Sequence, residues 1–422
     1  MADNRGKRLR LLGRKFVGFE EALSIQAASF EKEYPGVEMA LEFLEPQELY
    51  ARTIADEELR AGDIDVTLTL TDWLPEAMQR RLLTPLDPFL KTSPPDEWPD
   101  GWPPSLRHLQ TDAAGHVYAL PYHDGPMLLI YRRDLFDDPV EQAAFEARYD
   151  QPLRPPETWS DYLRVAQFFT RPERDLYGAV AAGLNDAHNN VYDFMIHTWS
   201  RGGRLLDEQG CPTFHEQTAV DALQYHIDLF NRYKVMPPEA KGYDSVASGE
   251  CYAAGRAAMM VNWCGFATMA EVPEHSRVVG KNGRGLVPRG DKPGGRHTSI
   301  NVYWVLAVAA GSRQPDLAYA FLRSTASAAM DEVTARHGCI ATRYSTWRDP
   351  AILRQFPIYT TIEAVHQRVD SPPAISSWPT ISEVLNVAVD DALHERKSVG
   401  EALAWATAES TRIMGDDVST DV

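Results

Sequence analysis

Gly115–Phe136 reads GHVYALPYHDGPMLLIYRRDLF. Val117–Leu120 is a short apolar run. Pro121 lacks a backbone donor and restricts the residue before it, so a first strand is predicted to end there. Tyr122, His123 and Asp124 follow, polar and aromatic, and Gly125-Pro126 signals a turn. A second apolar run, Met127–Tyr131, begins at once. Two buried strands joined by a polar, Pro-flanked link suit a point where one lobe hands the chain to another. Such a link exposes Tyr122, His123 and Asp124 to whatever lies between the lobes. An ordinary hairpin fits the same residues, and the rest of the chain decides between them.

Upstream, Arg8–Leu12 predicts a strand, and Phe19, Ala22, Leu23, Ala27 and Phe30 share a helical face that Pro35-Gly36 ends. Val37–Phe43 alternates as a strand, Glu48–Leu59 has a helical pattern and Asp63–Leu70 reads as a buried strand. This alternation predicts a parallel sheet with covering helices. Downstream, Thr158 or Ser160 caps a helix, and Val191–Ser200 is helical up to Gly202-Gly203. Thr218–Tyr233 is an amphipathic helix, Gly280–Arg296 a loop, Ser299–Ala310 an apolar strand and Gln314–Ala326 a helix. The second crossing falls at that apolar strand.

The chain has 422 residues, enough for two domains, and a net charge of −18. Nucleic acid or an anionic membrane surface would need a basic face, so neither is an expected partner. Cys211, Cys251, Cys264 and Cys339 form no CxxC pair and are expected to be buried free thiols, with a disulfide between two of them as the alternative. No HExxH or other close histidine pair occurs, so no metal and no cofactor are expected. No run approaches the roughly 18 apolar residues of a membrane span. The start MADNRGKRLRLLGRKF is basic, but no long apolar core or small-residue cleavage site follows it, so no export signal is legible.

Five further stretches carry a family resemblance. LTLTDWLPEAMQRRLLTPLDPFL (Leu68–Leu90) puts Asp72 and Trp73 between a buried strand and a helix. A carboxylate there accepts from two adjacent hydroxyls, although Asp also suits a helix N-cap. SGECYAAGRAAMMVNWCGFATM (Ser248–Met269) holds Trp263 and Phe266, INVYWVLAV (Ile300–Val308) holds Asn301, Tyr303 and Trp304, and the stretch His188–Gly210 opens with Asn190 and Tyr192. DSPPAISSWPTISEVLNVAVDDAL (Asp370–Leu393) holds Trp378 in a Pro-rich loop before a helix. Together with the crossing, these segments resemble, in order and spacing, the extracellular solute-binding proteins of ABC importers, in the sugar-binding branch that includes maltose-binding protein. Ser248–Met269 is similar to the family's F-x-x-G-x-A-A-M segment, with Tyr252 in place of Phe. Ala341 stands where many relatives have Pro, which leaves the bend beside it open.

The resemblance implies an α/β, two-lobed periplasmic-binding-protein fold, each lobe a mostly parallel sheet flanked by helices, with a ligand cleft at the hinge. Lobe one would be 1–122 plus 300–343, and lobe two 123–299 plus 344–422. The implied ligand-binding set is Phe16, Asp72, Trp73, His123, Asp124, Asn190, Tyr192, Trp263, Phe266, Asn301, Tyr303, Trp304 and Trp378. Which of Trp263 and Phe266 stacks on ligand stays open. Arg14, Lys15 or Arg343 would serve a charged substituent. The implied partners are a sugar or sugar derivative and a membrane permease. The protein is expected to be a monomer, periplasmic or lipid-anchored, and not an enzyme. A non-exported sugar sensor of the same fold is the alternative. A carbohydrate-active enzyme using Asp72 and Asp124 would need two carboxyls about 5–10 Å apart; no GxSxG or Walker-type motif points to other chemistry.

Overall fold

The structure, a computed structural model, describes residues 6–186 and 189–420. The first five residues of the basic start, and His188, lie outside the described residues. The strands are β1 (Lys7–Arg14), β2 (Val37–Leu44), β3 (Val66–Leu70), β4 (Ala119–His123), β5 (Met127–Arg132), β6 (Tyr177–Val180), β7 (Ala257–Trp263), β8 (Asn282–Gly285), β9 (Ser299–Ile300), β10 (Trp304–Val308) and β11 (Val369–Asp370). The chain separates into two compact units. Unit 1 holds the chain up to Gly125, Asn301–His366 and Ala374–Trp378; unit 2 holds Pro126–Ile300, Gln367–Pro373 and Pro379 onward.

Unit 1 is built on a five-stranded sheet in the order β2-β1-β3-β10-β4. β1 runs parallel to β2 and β3, while β10 is antiparallel to both of its neighbours. Four strands therefore share one direction, and the reversed one is the strand on which the chain re-enters this unit. Unit 2 repeats the device in its sheet β6-β7-β5-β8. There β6 and β7 are parallel and β5, the strand that enters the unit, is antiparallel to β7 and β8. Leu9, Leu11, Leu68 and Val305 in unit 1, and Leu128, Ile130, Ala258 and Met260 in unit 2, are fully buried strand residues. Strands covered on both faces read as continuous apolar runs.

The helices follow local signals. Val17–Glu33 buries Phe19, Ala22, Leu23, Ala27 and Phe30. Trp159–Phe169 begins at Thr158, whose hydroxyl accepts from the Asp161 amide, so of the two caps the sequence offered, Thr158 is the one used. This helix lies so close to β6 that a Cβ on Gly178 would stand 1.8 Å from the Ala166 carbonyl oxygen, so only glycine fits.

Four local expectations are corrected. β4 does not stop at Pro121 but continues to His123. It is an edge strand with a register shift opposite Trp304/Val305; at an edge and beside a bulge, the donor that proline lacks is not needed for the ladder. Ser299–Ala310 is two strands, since Asn301–Tyr303 leave the sheet to bond elsewhere. Glu48–Leu59 is a short helix, Pro46–Tyr50, continued by a π turn over Ala51–Ala55 and a 3-10 turn over Glu58–Arg60. Cys251, Cys264 and Cys339 are buried free thiols, but Cys211 is exposed.

Candidate functional site

The direction of the strands decides which side chains unit 1 gathers. β1 and β3 end at Arg14 and Leu70, β4 ends at His123, and β10, running the other way, starts at Trp304. The register pairs Trp304 with Leu70 on one side and with His123 on the other. Phe16, Asp72, Trp73, His123, Asp124, Asn301, Tyr303 and Trp304 are thus at or just beyond one end of one sheet. Ligands of open α/β sheets sit at the carboxyl ends of the strands.

These eight residues divide by what they touch. Trp304 packs edge-on against Trp73 at 5.7 Å and Phe19 at 5.9 Å, and the Arg14 guanidinium lies 5.2 Å from its ring centre. Phe16 is exposed, with Arg14 5.7 Å from its ring. Asp72 is half-buried between β3 and the helix Leu74–Gln79. Its neighbour Trp73 meets Tyr50 edge-on at 5.3 Å. Nδ1 of His123 accepts from the Ile340 amide at 2.9 Å, and its ring sits edge-on to Phe19. Burial, and then the Arg14 charge, push its pKa down to about 3, so the ring is neutral.

The remaining three are turned into unit 1. Tyr303 is fully buried, and its hydroxyl donates to Gln110 at 2.7 Å. Asn301 donates its side-chain amide to the Ser105 carbonyl at 2.8 Å. Asp124 accepts from the Gly125 amide at 2.8 Å and from the His366 ring at 2.7 Å. Trp378 is fully buried, and its indole N–H has no hydrogen-bond partner among the described residues. Two of the three cations considered for a charged substituent have carboxylate partners: Lys15 with Glu45 at 3.0 Å, and Arg343, 1% exposed, with Glu97 at 2.6 Å.

Unit 2 gathers Asn190, Tyr192 and Trp263. Trp263 ends β7 half-buried, and its indole N–H donates to Asn189 at 3.4 Å. Tyr192 meets it edge-on at 5.6 Å. Asn190 opens the helix Asn190–Ser200; it is fully buried, and neither polar atom of its side chain has a hydrogen-bond partner among the described residues. Phe266 goes elsewhere: its ring occupies the space a Cβ on Gly249 would fill, at 2.5 Å, and so packs on the helix Ser245–Ala253. Trp263 is therefore the ring grouped with the two asparagines.

Asn189 belongs to this cluster, Asp193 lies one turn along the helix from Asn190, and neither was singled out from sequence. Asn189 was legible as the neighbour of Asn190, and Asp193 from that helical spacing. Burial, and then the charge of Asp186, hold the Asp193 carboxyl well above the usual range. It lines a water-sized cavity of about 20 Å³ with Trp159, Tyr162, His197 and His226.

Two α/β units with polar and aromatic groups collected at strand ends are an arrangement able to hold a small solute. The chain belongs to the bacterial extracellular solute-binding proteins, whose family profile matches residues 18–331. The resemblance read from the crossing and from Ser248–Met269 therefore holds, and so does the two-lobed fold. A mannitol-binding protein of Pseudomonas aeruginosa is 26% identical over 359 residues, covering 83% of this chain and 78% of that one. A solute-binding protein of Agrobacterium radiobacter K84 in complex with ribitol shares 25% identity, with a TM-score of 0.85 over 97% of this chain and 99% of that one. A maltose-bound protein of T. maritima shares the fold at 24% identity and a TM-score of 0.81, over 95% and 98%. Among the described residues no helix is long and apolar enough to cross a membrane, and no cluster of metal-ligating side chains is present.

Proposed function

We propose that this protein is the solute-binding component of an ABC importer, that its solute is a polyol or small sugar, and that it delivers this solute to a membrane permease. The observation that carries the reading is Asn190. A fully buried amide with neither its donor nor its acceptor used costs stability unless something supplies both. A hydroxyl is at once donor and acceptor, so a chain or ring of hydroxyls matches Asn190 as a purely anionic or cationic solute would not. The Trp263 ring beside it offers an apolar face for the C–H surface of such a solute. A relative named for mannitol and a structural neighbour in complex with ribitol support the same class.

In this reading Asp72, Phe16 and Trp304 of unit 1 and Asn190, Tyr192 and Trp263 of unit 2 contact the solute. The protein works outside the cytoplasmic membrane, as its family does, and returns the solute chemically unchanged. A thermal-shift screen against polyols, mono- and disaccharides and amino acids tests this. Stabilisation by a polyol or sugar supports it; stabilisation by amino acids alone overturns it.

A further inference from the structure

The chain passes from one unit to the other at Gly125–Pro126, Ile300–Asn301 and His366–Gln367, and then twice more around the short segment Ala374–Trp378. On the unit 1 side, one hydrogen-bonded chain touches all three of the first passages. Asp124, next to the first, accepts from Nε2–H of His366, the last residue before the third, at 2.7 Å. With Nε2 donating, a neutral His366 ring accepts at Nδ1 from the Ser105 hydroxyl, at 2.8 Å. Ser105 in turn accepts at its carbonyl from Asn301, the first residue after the second passage, at 2.8 Å. The His366 ring is stacked on Trp347 at 5.1 Å, and Asp124 and His366 are both buried. Trp347 is fixed by its own N–H bond to the Ala341 carbonyl at 2.7 Å.

Unit 2 closes the same three strands of chain from its own side. Ser299 donates to the Met127 carbonyl at 2.6 Å, and β9 pairs in parallel with β11 through Ser299↔Val369 and Ile300↔Asp370. The polar contacts thus end within a few residues of each of these first three passages, in each unit separately.

We propose that Ser105, His366 and Asp124 are positioning residues that clamp the unit 1 ends of the three passages, with Asn301 as the fourth member. Asp124 and Asn301 then serve the crossing and not the solute. The Asp124 carboxylate is already spent, since both its oxygens accept bonds within unit 1, and the Asn301 side-chain N–H is committed to Ser105. The order Ser–His–Asp matches a hydrolase relay only in its connectivity. The Leu106 and Arg107 amides that follow Ser105 donate to the Pro103 and Pro104 carbonyls, so they form no oxyanion hole for it. Bending between the units is confined by the two clamps to the few backbone steps at each passage. That last consequence rests on the solute-binding reading; the clamp itself does not.

Amide hydrogen exchange on the solute-free protein tests the clamp. His366→Ala is expected to speed exchange at least tenfold over 122–126, 300–304 and 364–368 together, with β1 and β7 unchanged. His366→Gln, whose amide can donate to Asp124 and accept from Ser105, is expected to recover most of the protection. Ser105→Ala removes one hydroxyl and serves if His366→Ala does not fold; the same three segments should then respond, at least threefold. Asp124→Ala should reproduce the His366→Ala pattern. Exchange that rises only beside the substituted residue overturns the clamp. So does an Asp124→Ala protein that loses D-mannitol affinity while all three segments keep wild-type exchange, since Asp124 would then be a solute group. Because the exchange readout needs no solute, failure of the polyol reading leaves it intact.

Discussion

The Trp263 indole stands edge-on to the Tyr192 ring, 5.6 Å away at 87°, while its N–H reaches Asn189. The ring is braced on its edge, and its orientation is fixed by packing inside unit 2. Trp263→Ala should lower solute affinity at least tenfold, about 1.4 kcal/mol. Because Trp263 is only half-buried, the variant should remain folded by circular dichroism. Unchanged calorimetric affinity would remove Trp263 from the site.

Asn190 separates binding from stability. Replacing it by leucine, whose side chain has the same branched shape, removes two buried polar atoms that have no partner among the described residues. The variant should unfold at an equal or higher temperature than wild type, because an unsatisfied buried group costs roughly 1–3 kcal/mol. Its affinity for the solute should fall at least tenfold. Lower stability together with retained affinity would show that Asn190 is a packing residue.

The buried histidines make stability depend on pH. The pKa of His226 is pushed down to about 4 by burial and then by the Arg201 charge, and that of His197 falls well below its usual value for the same two reasons and because of His226. Both are neutral in the fold, whereas the unfolded chain takes up protons below about pH 6.5. As pH falls from there to about 4, the unfolded state binds more protons and stability drops, by up to ~1.4 kcal/mol per pH unit for each histidine. Asp193 and Asp331, whose pKa values burial raises, oppose this in acid. The single substitution His226→Gln isolates one histidine: its denaturation free energy should fall less steeply than wild type between pH 6.5 and 4. Parallel curves would contradict the assignment.

Arg343 was a candidate for a charged solute group, and the structure gives it another task. The guanidinium is buried, bonded to Glu97 and to the Ala326 and Asp96 carbonyls, and lies 4.2 Å from the Trp102 ring centre. Glu97 is exposed, but the carbonyls lose their donor, so Arg343→Ala should destabilise unit 1 by roughly 1–3 kcal/mol. The rank order of solutes in a binding panel should not change. A changed order would return Arg343 to the site.

How far the sequence reached depended on whether a signal was local. The Phe19–Phe30 face, the Thr158 cap and the apolar strands were legible because each is set by neighbouring residues. Pro121 misled because a proline ends a central strand but is tolerated at an edge, and edge position is a property of the whole sheet. The candidate residues clustered as far as strand direction carried them to one sheet end. Tyr303 could not be sorted by pattern alone: an aromatic beside a strand end reads the same whether its hydroxyl finds Gln110 or a solute. Ser105 and His366 were missed altogether, since 261 positions separate them and nothing in either neighbourhood announces the other.

Titration calorimetry of the purified protein with D-mannitol, ribitol and maltose, followed by recovery of the solute, tests the central claim most directly. The account predicts saturable one-to-one binding of a polyol or sugar from this set, with the solute recovered unchanged. At 100 times its Kd that ligand should add about 2.7 kcal/mol to the stability of the fold. No binding of any of the three, or consumption of a solute that does bind, would contradict it.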